Sequence, residues 1–92
     1  MIRTKLVTAN ATPVELSFPD EVQSYYKIII TNLSANKHVL VGGPDVSLTK
    51  YGIRVEHDQP PVTIEGVPYN DRLYAISEDP LQSISVAVMV IE

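Results

Sequence analysis

The chain has 92 residues, 45% of them hydrophobic and 20% charged, with a net charge of -4 and a pI near 5.0. That length supports one hydrophobic core, read here as a single domain over residues 1–92, and the apolar share is too high for intrinsic disorder. The acidic balance argues against nucleic-acid binding, which needs clustered Lys and Arg, and the lack of cysteine excludes disulfides, thiolate metal sites and a thiol nucleophile.

In chain order, MIRTKLVTAN carries basic residues but no apolar run with a small-residue cleavage site, so no secretory signal is read. RTKLVTA and PVELSF suit two short strands, and residues 1–17 are expected as an extended N-terminal arm or as edge strands. In SYYKIIITNLS, Tyr26, Ile28 and Ile30 share one face and Tyr25, Lys27, Ile29 and Thr31 the other. Both faces are partly apolar, as in a central strand.

VLVGGPDVSL follows, two apolar runs split by a corner. A phosphate loop needs GxxxxGK[ST] ahead of a helix. Here Pro44 removes an amide, no Lys-Ser or Lys-Thr follows, and residues 46–48 look strand-like. Glycine's tolerance of positive φ, the fixed φ of Pro44 and the self-bonding side chain of Asp45 predict a turn instead.

GIRVEH places Ile53 and Val55 inward against Arg54 and Glu56, and PVTIEG does the same with Val62 and Ile64 against Thr63 and Glu65. RLYAIS sets Leu73 and Ala75 against Tyr74 and Ile76. In SISVAVMVIE, Ile84, Val86, Val88 and Val90 share a face, opposite Ser83, Ser85, Ala87, Met89 and Ile91. That second face turns from polar to apolar along the strand, so its end is expected to be covered by its own fold or by another subunit. No apolar run approaches the roughly 20 residues of a membrane span. The expectation is an all-β domain of about seven to eight strands, a small sandwich or barrel of jelly-roll or Ig-like type.

Candidates for chemistry are few. His57-Asp58 pairs a base with a carboxylate, but a triad also needs a positioned serine, and no GxSxG turn is present to hold one. His38 and His57 lie on different elements without metal-ligand spacing, and Asp20-Glu21 and Glu78-Asp79 flank prolines as turn residues do. No catalysis, metal or cofactor is expected. Nearly all aromatic area belongs to five tyrosines; Tyr26 and Tyr74 fit the core edge, whereas Tyr51 and Tyr69, beside Gly52 and Asn70 in loops, suit contact with a partner.

Several features in order carry a resemblance: an apolar strand ending in Thr-Asn-Leu-Ser (residues 28–34), Val-Gly-Gly followed by Asp-Val (41–46), Tyr-Gly-Ile (51–53), Leu-Tyr-Ala-Ile (73–76) and a closing valine strand. From Tyr25 onward the chain resembles small tailed-bacteriophage virion proteins, of the capsid decoration (cement) or head and tail accessory type. The resemblance implies a β domain made in the host bacterial cytoplasm and located on the phage head. There it would bind the major capsid protein or another virion protein without chemistry, away from membrane and nucleic acid. Repeated virion surfaces favour symmetric oligomers, so a homotrimer is expected. Ala87, Met89 and Ile91 are then expected at the subunit interface, Arg3 and Lys5 against an acidic capsid surface, and Tyr51 and Tyr69 at partner contacts. The alternative is a carbohydrate- or receptor-binding accessory module of a tail or spike, its loop tyrosines stacking on sugar rings.

Overall fold

A computed structural model describes residues 2–17, 25–34, 37–56, 60–68, 72–79 and 81–91. Among the described residues, the β-branched segments form eight strands: β1 (Ile2–Ala9), β2 (Val14–Glu15), β3 (Tyr25–Asn32), β4 (His38–Gly42), β5 (Ile53–Glu56), β6 (Val62–Pro68), β7 (Tyr74–Ser77) and β8 (Ile84–Ile91). All pairings are antiparallel, in two four-stranded sheets of order β1-β8-β3-β6 and β2-β7-β4-β5. The molecule is therefore a β-sandwich. Strand 1 pairs with 8, 2 with 7, 3 with 6 and 4 with 5, the nested order of a jelly roll.

Alternation decides which side chains enter the core. Ile28 and Ile30 of β3 and Ile84, Val86, Val88 and Val90 of β8 face Val39, Val41, Val55 and Ala75 of the opposite sheet, and all are buried. Ser77 and Asn32 are also buried, and each is satisfied. The Ser77 hydroxyl donates to the Asp79 carbonyl at 2.6 Å. Asn32 Nδ2 donates to the carbonyls of Lys37 (2.7 Å) and Val55 (3.1 Å), and its Oδ1 accepts from Ser34 N–H (2.8 Å). Thr-Asn-Leu-Ser is thus a structural device that turns the chain out of β3 and ties it to β5 of the other sheet.

Two local expectations need correction. Residues 46–48 do not form a strand; apart from one isolated bridge between Ser47 and Lys50, the segment is a loop. The turn at Gly43-Pro44-Asp45-Val46 does form, closed by Val46 N–H donating to the Gly43 carbonyl at 3.0 Å. Gly42 and Gly43, however, are not in the left-handed region; Gly66 is, with φ of +67°. Gly42 instead sits where space is tight, since a Cβ there would come within 3.2 Å of Val46 Cγ2. Gly66 lies where β6 bulges against β3, the register stepping from Tyr26↔Val67 to Ile28↔Ile64.

Candidate functional site

The sandwich has two outer faces. On the first sheet, the outward residues line up in rows: Thr4, Met89 and Ile29 in one, Leu6, Ala87 and Thr31 in the next, Ile2, Ile91 and Lys27 at one end. Leu6 is 74% exposed and Ile2 63%. The small Ala87 between Leu6 and Thr31 leaves a dip, an open groove of about 260 Å³ lined chiefly by Thr4, Leu6, Ile29, Thr31, Ala87 and Met89. Lys27 of β3 and Glu65 of β6 pair at 3.2 Å on the same sheet.

The second sheet differs. Residues 43–52 fold back over it, and Val46 packs on Leu40 and Ile76 with Tyr74 at the border, forming a small satellite core. Gly52 N–H donates to the Val41 carbonyl at 2.8 Å, pinning the far end of the loop. Asp45 and Lys50 pair across it at 2.5 Å. The hydrogen bond from Lys50 chiefly, then that from its own backbone N–H, holds the Asp45 carboxyl below the usual carboxylate range, and the same pair raises Lys50.

Beside the loop stands a polar cluster assembled by strand pairing. His38 is the register partner of Glu56, Arg54 lies two residues earlier on the same face, and Glu78 N–H donates to the His38 carbonyl at 3.0 Å. Arg54 Nε and Nη2 donate to the two carboxylate oxygens of Glu78 at 2.6 and 3.1 Å, and Nη1 donates to Glu56 at 3.0 Å. Nη2 also meets His38 Nδ1 at 2.6 Å. A guanidinium only donates, so Nδ1 is the acceptor in that contact. The Arg54 hydrogen bond chiefly lowers the Glu78 pKa, and the Glu78 hydrogen bond raises that of Arg54. Between cluster and loop is a hollow of about 420 Å³ lined by Leu40, Leu48, Tyr51, Arg54 and Glu78. The guanidinium occupies the middle of the cluster, and among the described residues no group of three or more His, Asp or Glu is placed to hold a metal.

The residues singled out in the sequence fall as follows. Ala87, Met89 and Ile91 share the first outer face, together with Ile2 and Leu6, which the alternation of β1 could have added. Tyr51 is at the second hollow, 46% exposed. Arg3 and Lys5 point the other way from Leu6, towards the inner side of the edge strand β1. Lys5 Nζ donates to the Ser17 carbonyl at 2.8 Å, and burial lowers its pKa against the opposing pull of Glu15. Inward charges on an edge strand impede pairing with a further strand. Tyr69, His57 and Asp58 lie outside the described residues, as do Asp20 and Glu21. The His38–Arg54–Glu56–Glu78 cluster was missed because its members are distant in sequence; the wet face of β5 was its one visible sign. No family model, curated protein or solved structure matches the chain.

Proposed function

We propose that the chain is a non-catalytic structural protein of a bacteriophage virion, a decoration protein that assembles on the capsid surface as a homotrimer. The observation that carries the reading is the open apolar face of the first sheet, where Ile2, Leu6, Ile29, Ala87, Met89 and Ile91 lie together. Contiguous apolar area of this kind is a mark of protein contact surfaces, and a small core gains stability when such a face is covered. The Thr-Asn-Leu-Ser and Val-Gly-Gly elements of the virion-protein resemblance act here as structural devices, which fits a family defined by its scaffold. Jelly rolls recur in capsid and lectin domains, an analogy of fold that supports the class and no particular site.

Two measurements test it. Met89→Asp places a charge in the middle of the open face and should convert the oligomer to single chains in light scattering; an unchanged mass counts against this face as the interface. Virions produced without the chain should lose regularly arrayed surface density in electron micrographs, and an unaltered surface would remove the capsid assignment.

A further inference from the structure

We propose that the hollow beside the 43–52 loop is a binding site for neutral oligosaccharide, with Tyr51 and Leu48 as the stacking platform and Glu78 as the acceptor of sugar hydroxyls. It lies on the outer face opposite the assembly surface and stands independently of that reading.

A pyranose ring offers an apolar C–H face and a rim of hydroxyls, so its site needs a flat apolar patch beside planar hydrogen-bonding groups. Both are present. Tyr51 and Leu48 are about half exposed and border the same hollow, and Tyr51 is the exposed aromatic among the residues whose side chains are described. An aromatic ring left in water beside polar groups is suited to a ligand with one dry and one wet side. The hollow is open and set at the surface, as an extended chain of sugars requires, whereas small cofactors favour more enclosed pockets.

The polar groups are held in place before any ligand arrives. Glu78 is gripped by two parallel N–H bonds from Arg54. Each of its oxygens keeps a further lone pair for an O–H donor, a fit to two neighbouring hydroxyls. Arg54 gives two N–H groups to Glu78, one to Glu56 and one to His38, leaving one of its five to donate to a ring or hydroxyl oxygen. A preorganised wall lowers the ordering cost of binding. Charge then selects the ligand: one guanidinium faces the two carboxylates Glu56 and Glu78, and Lys50 is matched by Asp45. The residual negative charge disfavours uronic and sialic acids and leaves neutral sugars.

The test is an amide-resolved NMR titration of the full chain with maltohexaose, cellohexaose, mannohexaose and xylohexaose, with hexagalacturonate as the acidic comparator. The expected result is saturable shifts at Leu48, Tyr51 and Arg54 with a neutral hexaose and none with the galacturonate. Tyr51→Ala should weaken that binding roughly tenfold or more, Tyr51→Phe should hold it within about twofold, and Glu78→Gln should weaken it several-fold. Tyr51 is exposed, so an unchanged spectrum for the buried strands certifies the fold of its variants. Silence at these amides across all four neutral sugars, shifts confined to another surface, or undiminished binding by Tyr51→Ala would each overturn the proposal.

Discussion

The two outer faces of the sandwich are built from the same kind of strand and end differently. On the second sheet, Leu40 and Ile76 point outward yet are only 2% and 4% exposed, because the connection from β4 to β5 returns across its own sheet and sets Val46 on them. On the first sheet, Leu6, Ile29, Ala87 and Met89 occupy equivalent outward positions and stay open. An apolar residue on the second face of a strand is therefore not by itself a contact site. What matters is whether the connecting segment comes back to cover it.

Breaking the covered face should cost most. Leu40→Ala removes buried side chain from the satellite core and should lower unfolding free energy by about 2–5 kcal/mol, whereas Leu6→Ala on the open face should stay within about 0.5 kcal/mol when the protein is dilute enough to be monomeric. Urea denaturation of the two variants measures the contrast directly; equal losses would mean that the faces do not differ. Next in size is Gly42→Ala. Its methyl would press on Val46 Cγ2 from 3.2 Å, and the loop must lift or the side chain must shift, at about 1–3 kcal/mol. A neutral result would show that the loop is not seated as tightly as the packing implies.

The smallest effect belongs to the exposed ion cluster. Glu78 has its folded pKa depressed, first by the Arg54 hydrogen bond, so its contribution is present above the ordinary carboxylate range and is lost as pH falls through the depressed value. Solvent screening keeps it small. Thermal midpoints of wild type and Glu78→Gln should differ slightly near neutral pH and converge in acid. A gap that persisted at the acid end would assign the loss to packing.

Much of the framework was legible from alternation. The two faces of β8, the inward pairs of β5 and β6, the shared side of Tyr74 and Ile76 opposite Leu73 and Ala75 and the turn at Gly43–Val46 all follow from period-two spacing and proline chemistry in a few adjacent residues. Less legible was anything resting on partners far away. Asn32 reads only as part of the Thr-Asn-Leu-Ser end of a strand, yet its amide reaches a carbonyl 23 residues on. Lys5 read as half of a basic arm, yet its ammonium ends on Ser17. Arg54 and Glu56 were rightly placed towards water, but nothing local revealed that Glu78 would meet the same guanidinium.

The amino-acid order by itself determined that this chain is all-β and which side of its longer strands faces the sandwich interior, because side-chain direction along an extended strand depends on neighbours one and two positions away. Tertiary structure decided that the strands nest as 1-8-3-6 over 2-7-4-5, that one apolar outer face is roofed and the other open, and that a tyrosine, an arginine and a glutamate share a hollow. Those outcomes depend on which strands pair and how a loop returns across a sheet, and such contacts join residues that no local spacing connects.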